Sequence, residues 1–272
     1  MSACRHFKFS RKSATISGVK ITAAIIAFNE EKNIVDAIES VRWADEIIVV
    51  DSESTDRTRE LAAAAGATVL VNPWPGFSAQ KQFAVDHAEN DWIFSLDADE
   101  RVSDKLETEI LEIAKSPDSA DAYRIPRMSI YMGRRIRHGG WYPDWQLRLF
   151  DRRNGRWKNV PVHESVEMEH WVKVRKLSGD ILHYSVEGPQ HHHTMIGERY
   201  APLAAEQMYA NGRRTSRLKA VVAAWAAFIR AYFVKAGFLD GFPGFCIAYF
   251  AAHHALMKHL ILLELQENPR VE

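Results

Sequence analysis

The chain has 272 residues, 47% apolar and 26% charged, which excludes a disordered chain and removes any need for disulfide staples. Lys+Arg and Asp+Glu both total 35, so net charge gives no footing for a nucleic-acid partner. The two cysteines, Cys4 and Cys246, stand in no metal-ligand spacing and fit a reducing, cytoplasmic setting.

Residues 1–19 read as a basic, flexible tail with Arg5, Lys8, Arg11 and Lys12 and no apolar stretch of signal-peptide length. Ile21 to Phe28 is a nearly continuous apolar run, the pattern of a strand buried on both faces. Ile34, Ala37, Ile38 and Val41 then recur at helical spacing, and Glu46 to Val50 predicts a second buried strand that stops at Asp51. Thr55 to Ala65 predicts a helix with Ser54 or Thr55 as N-cap and Asp56 in the first turn. A strand over Ala67–Val71 is broken by Pro73 and Pro75, and a helix follows from Ser78 to Ala88. Asp91 to Leu96 predicts the next strand, ending on Asp97, and Ser103 caps a helix with Leu106, Ile110 and Ile113 on one face. The alternation predicts an α/β fold with a doubly wound parallel sheet, whose ligands sit beyond the carboxyl ends of the strands. Asn29, Asp51, Asp97 and Asp99 all fall there.

From Asp121 to Tyr184 the pattern changes to short mixed strands, and after His191–His193 it is helical. These shifts divide the chain into a catalytic domain over 20–190 and a C-terminal helical, membrane-associating region over 191–272. Within that region Ala220–Ile229 and Gly241–Met257 are apolar, and neither reaches the roughly 20 clean residues of a spanning helix. Arg213, Arg214, Arg217 and Lys219 precede the first run, which suits either docking on an anionic membrane surface or an amphipathic cap on the domain or a dimer partner.

Leu96-Asp97-Ala98-Asp99 is the most informative short motif. Two carboxylates one residue apart, just after a buried strand, can hold one hard cation, Mg²⁺ or Mn²⁺, against the diphosphate of a nucleotide-activated substrate. Asp51 can accept a hydrogen bond from a base or ribose, or it can belong to a plain helix-capping turn. Asn29 and Glu30 can contact the nucleoside or simply start a helix. No G-x-G-x-x-G and no P-loop follows any strand, which argues against a dinucleotide fold or a kinase.

Taken together, several segments resemble the family 2 glycosyltransferases, which have the GT-A nucleotide-diphospho-sugar fold. They are Asn29-Glu-Glu-Lys-Asn33, Trp43-Ala-Asp-Glu-Ile-Ile-Val-Val-Asp51, Trp74-Pro-Gly-Phe77, Gln80-Lys81 and Ser95-Leu-Asp-Ala-Asp-Glu-Arg101. Gly140-Trp-Tyr-Pro-Asp144, Leu147-Arg-Leu-Phe150, Val162-His-Glu164 and Gly237-Phe-Leu-Asp-Gly241 look more narrowly like the lipopolysaccharide-core β-glucosyltransferase (WaaE/KdtX-type) subfamily. Glu53 and Gln82 depart from it, where a small residue and Asn are usual. The resemblance implies an inverting transferase with a UDP-sugar donor, a divalent metal and a lipid-linked or core-oligosaccharide acceptor. It places the enzyme on the inner face of the cytoplasmic membrane.

Such a transfer needs a general base on the acceptor hydroxyl. Glu164 lies where related folds place an acidic base, while Asp144 follows Trp141 and Tyr142, an aromatic pair able to stack on an acceptor sugar. Both candidates stay open. Lys81 is a candidate phosphate contact and His163 a candidate metal or diphosphate contact. Arg127, Arg134, Arg135, Arg137, Arg148, Arg152, Arg153 and Arg156 read mostly as a solvated face, some of them able to hold a diphosphate or an anionic acceptor. His191–His193 reads as a polar linker, and Trp225, Phe228, Tyr232 and Phe233 as packing or membrane face. Rival readings are a nucleotidyltransferase that makes activated sugars and a non-catalytic membrane-associated scaffold.

Overall fold

The computed structural model describes residues 18–115, 120–158, 164–186 and 188–268. Residues 1–17 of the expected tail, with Cys4, and His163 lie outside the described residues. The first half runs β1 (Ile21–Ala27), α1 (Ile34–Ser40), β2 (Glu46–Asp51), α2 (Thr58–Ala64), β3 (Thr68–Val71), α3 (Phe77–Asp86), β4 (Trp92–Asp97), β5 (Glu100–Val102) and α4 (Asp104–Lys115). Strands β6 (Ala122–Tyr131), β7 (Arg134–Arg135), β8 (Asp144–Asp151), β9 (Gly155–Trp157), β10 (Val166–Met168), β11 (Val174–Lys176) and β12 (Ile181–Val186) follow. The chain continues as α5 (Pro189–Thr194), a π-helical turn Met195–Tyr200, α6 (Ala201–Ala210), α7 (Arg217–Ile229) and α8 (Gly241–Glu267).

The main sheet has the order β3-β2-β1-β4-β8-β6-β12-β5. Strands β3, β2, β1 and β4 are parallel, as the alternating pattern predicts. The other half is mixed: β8 is antiparallel to both β4 and β6, β12 is parallel to β6, and β5 is antiparallel to β12. Between β6 and β8 the chain returns without a crossover helix, so those strands can pair only head to tail.

The pleat of β1 sorts its side chains between two layers. Ile21, Ala23, Ile25 and Ala27 pack with Ile34, Ile38, Ala62, Leu106 and Ile110 beneath α1, α2 and α4. Ala24 and Ile26 face Ala84, Val85 and Trp157 on the α3 side. Full burial of an isoleucine such as Ile25 or Ile38 contributes about 2 kcal/mol.

Three local expectations change. Helix α2 begins at Thr58 rather than Thr55, because the Ser54 and Thr55 amides are taken by Asp51 and Asn29, and Asp56 Oδ1 accepts from the Thr58 amide at 3.0 Å in the turn ahead of the helix. The stretch at His191–His193 is not a linker but part of α5, where His192 packs against Tyr131, Trp141 and Phe250. Burial there pushes the His192 pKa down to about 4.

The C-terminal helix also runs farther than the apolar stretch Gly241–Met257, because Leu260, Ile261, Leu262 and Leu263 resume the apolar pattern past Lys258 and His259. Gly237–Glu267 is long and apolar enough, by length and composition, to cross a membrane, although a third of its most apolar window is buried against the rest of the protein. Cys246 and Ile247 pack with Tyr131, Ile136 and Val186 at the end of the sheet, and Phe250 packs with Ile196 and Ala201. Gly244 permits the close start of this helix, since a Cβ there would stand 1.9 Å from the Gly237 carbonyl oxygen.

Candidate active site

Strand β4 alternates, sending Trp92, Phe94 and Leu96 to the α1 layer and Ile93 to the α3 layer. Asp97 falls in the second set and therefore points toward α3, where Lys81 waits. The chain then turns tightly through Ala98 and Asp99 into β5. That turn is held on both sides: the Ala98 amide donates to the Ile26 carbonyl at 3.2 Å, and the Tyr184 amide donates to the Asp99 carbonyl at 2.9 Å. Arg101 braces it from behind, donating to the Ala98 and Glu100 carbonyls at 2.9 and 2.8 Å.

Asp97 and Asp99 have different surroundings. Asp97 Oδ1 forms an ion pair with Lys81 Nζ at 2.9 Å, and Oδ2 accepts from Arg148 at 3.0 Å. Its amide donates to Glu100 Oε2 at 3.0 Å. Burial alone would raise the Asp97 pKa, but Arg148 and Lys81 more than reverse this and hold it well below the usual carboxylate range. Asp99 instead faces His183 on β12, with Oδ2 3.2 Å from Nε2.

Of the expected metal pair, Asp97 is engaged by Lys81 and Arg148, whereas Asp99 pairs only with His183 among the described residues. A carboxylate oxygen and an imidazole nitrogen side by side would hold a divalent cation, Mn²⁺ better than the oxygen-preferring Mg²⁺. Among the described residues no cluster of three or more such ligands exists.

Arg148, expected only as one of a group of mostly solvated arginines, is buried at the centre of the network. The β8–β6 register skips it, passing from Leu149 opposite Tyr123 to Leu147 opposite Arg124. A bulge of this kind re-aims one side chain. Arg148 is 2% exposed and also donates to Glu100 Oε1 at 3.0 Å, beside Arg127 at 3.2 Å. Because Arg148 stands two residues from Phe150 on an apolar strand, only the Leu-Arg-Leu-Phe interruption hinted at it.

Lys81, the expected phosphate contact, is placed beneath the cavity floor. Its Nζ is buried between Asp97 and Glu164, whose Oε1 is 3.6 Å away, and lies 4.9 Å from the Trp157 ring centre. Lys81→Met should lower stability by about 2 kcal/mol, since Asp97 keeps Arg148 while Glu164 loses its cation. A urea titration with a lower midpoint and an unchanged slope is the expected record.

These groups border a cavity of about 650 Å³, walled by Phe28, Glu30, Ser52, Trp74, Phe77, Asp97, Asp99, Arg127, Glu164, His183, Arg199 and Tyr200 among others. Four of its wall residues are carboxylates and two are arginines. Arg127 is committed to Glu100 and to Asp144, its cross-strand neighbour, at 2.7 Å. Burial raises the pKa of Glu30, and the nearby charge of Asp99 raises it further against the hydrogen bond from Asn33.

A second hollow of about 390 Å³ shares Arg127, His183, Ser185, Met195 and Tyr200 with the first and adds Trp141 and Asp144. Both oxygens of Asp144 already accept hydrogen bonds, Oδ2 from Arg127 and Oδ1 from Gln146 at 2.8 Å. Glu164 is the candidate that faces the same cavity as Asp99. Trp141 lines the second hollow, whereas Tyr142, expected beside it, is not among the residues that line it and donates its hydroxyl to Asp180 at 3.0 Å.

At the neighbouring strand ends, Asp51 is fully buried and both its oxygens serve Ser54, so its side chain sets the loop and does not face the cavity. Ser52 takes its place on the wall. Asn29 accepts from the Thr55 amide at 2.8 Å and adopts φ 54°, clamping the β1 and β2 loops together at the mouth of an adjoining hollow. Glu53 stands at φ 62°, a left-handed conformation in which a smaller residue, glycine above all, is strain-free.

The model of the family described as "Glycosyl transferase family 2" matches residues 22–177. The chain belongs to that family, and its fold is the GT-A fold, with a mostly parallel sheet and C-terminal helices. An uncharacterized glycosyltransferase of Rickettsia bellii is 35% identical over 266 residues, covering 92% of this chain and 89% of that one. The lipopolysaccharide core biosynthesis glycosyltransferase LpsC of Rhizobium meliloti is 29% identical over 277 residues, covering 94% and 98%. Among solved structures, glucosyl-3-phosphoglycerate synthase of Mycobacterium tuberculosis, in complex with Mn²⁺, UDP and glucosyl-3-phosphoglycerate, aligns with a TM-score of 0.35. It is 24% identical and covers 46% of this chain and 51% of that one.

Proposed function

We propose that this glycosyltransferase is metal-dependent and inverting, and moves a hexose, glucose in the first instance, from a UDP-linked donor to a lipopolysaccharide-core or other lipid-linked glycan. The observation that carries the reading is the Asp99–His183 pair on the wall of a cavity that also holds Glu164. The name of the Rhizobium relative supports the acceptor class.

In this reading Phe28, Trp74 and Phe77 form the apolar wall for the nucleobase, and Asn29 and Glu30 hold the loop beside the ribose. Asp99 and His183 hold a divalent cation, which when bound neutralises charge on the diphosphate. Arg199, exposed on the π-helical turn and paired with no carboxylate among the described residues, meets the departing UDP. Trp141 offers the acceptor a ring face. Glu164 accepts the proton of the acceptor hydroxyl as its oxygen bonds to the anomeric carbon; the bond from that carbon to the diphosphate oxygen breaks, and the electron pair leaves with UDP.

Titration calorimetry with UDP-glucose, with and without Mn²⁺, tests the reading, followed by UDP release in the presence of core oligosaccharide. Metal-dependent binding and acceptor-dependent release are expected. Binding that ignores the metal, or preference for a sugar phosphate with a nucleoside triphosphate, would sink it.

A further inference from the structure

We infer that the outward face of α7 and the beginning of α8 is a docking surface for an anionic lipid bilayer. On an ordinary surface helix the apolar stripe turns inward. Helix α7 does the reverse. Leu218, Val221, Val222, Trp225 and Ile229, spaced to share one face, are 74%, 50%, 56%, 66% and 47% exposed, and only Ala220 of this helix is buried.

Ring contacts carry the patch onward from Phe228 to Phe233 and Phe245, and from Phe245 to Phe242, with Phe233 and Phe242 59% and 65% exposed. An apolar surface that extends over several elements marks a binding face rather than scattered surface leucines.

Charge names the occupant. Between Glu206 and Asp240 there is no acidic residue, while Arg213, Arg214, Arg217, Lys219, Arg230 and Lys235 are all present and exposed. Cations beside an apolar stripe with a tryptophan match the headgroup and upper acyl layers of an anionic leaflet. A second copy of the chain would bring the same cations against these with no acid to pair them, so self-association is opposed. Spanning by α8 is opposed too, because Ile247 and Phe250 on its other face are packed into the protein. Helix α6 and the π-helical turn bearing Arg199 abut α8, so one wall of the donor cavity is mounted on the docked element.

Docking by this face needs nothing from the donor site, so flotation of the full-length chain with vesicles tests it alone. Phosphatidylcholine vesicles carrying phosphatidylglycerol should recruit the chain, phosphatidylcholine alone should recruit far less, and high salt should reverse most of the binding. Trp225→Glu with Phe233→Glu should weaken recruitment at least about tenfold with an unchanged circular dichroism spectrum. Arg213→Gln with Arg214→Gln and Arg217→Gln should remove the preference for the anionic lipid. Equal recruitment of the Trp225/Phe233 variant overturns the inference. So does a lipid-free dimer in sedimentation velocity that this variant abolishes, which gives the face to a second copy, or retention of the chain in membranes through alkaline carbonate, which makes α8 a span.

Discussion

Glu164→Gln should leave donor binding unchanged and lower kcat by about 10²–10⁴-fold, the usual contribution of a positioned general base. The amide keeps the shape of the carboxylate but cannot take a proton. It also keeps an oxygen to face Lys81, so the buried ion cluster beneath it stays intact. Asp144→Asn is the matched control. Its carboxylate is tied to Arg127 and Gln146 and lies in the adjoining hollow, so its loss should change the acceptor KM more than kcat. Steady-state kinetics with saturating donor and varied acceptor separates the two. Normal turnover in the Glu164 variant with a collapsed kcat in the Asp144 variant would move the proton transfer to Asp144.

Asp99→Ala should reduce transfer by about 10³-fold, close to 4 kcal/mol of transition-state stabilisation, and should abolish the metal dependence of UDP binding. Stability should hardly change, since Asp99 faces the cavity, 23% of its side chain is accessible, and the turn is fixed by its backbone. The neighbouring Asp97→Ala should behave differently. Removing that carboxylate takes away the closer partner of buried Lys81 and leaves Arg148 with Glu100 alone, so its main effect is on the melting temperature. Calorimetric titration of Mn²⁺ with UDP, beside thermal melts of both variants, distinguishes a ligand from a structural anion. Metal-dependent turnover retained by the Asp99 variant would refute the ligand role.

Much of the parallel half of the fold was legible because it depends on local pattern. The apolar runs of β1, β2 and β4 and the spacing of Ile34, Ala37 and Ile38 state their own burial, and an acid ending a buried strand marks the crevice. What was hidden depends on contacts between distant segments. His183 follows a leucine in a short, unremarkable strand, and its pairing with Asp99 arises only when β12 joins β6 and β5. Arg148 looked like one arginine among many, because the bulge that buries it has no local signature. The same blindness made Asp51 and Lys81 look like ligand contacts. Residue type and strand position say that a charged group reaches the sheet edge, but not whether a neighbour such as Ser54 or Glu164 has already claimed it.

The joining of β5 to β12 bears on how the enzyme is made. Strand β5 takes its ladder partner from the far side of the domain, and the hydrogen bond from the Asp180 amide to Ser103 closes a separation of 77 positions. Loops of that length close slowly relative to the local helices and the β1–β2 pair. On the ribosome, the turn that carries Asp99 emerges long before the strand that carries His183. A nascent chain that stops short of β12 therefore holds the parallel half of the sheet without His183, and the Asp99–His183 pair forms only after the last strand has emerged.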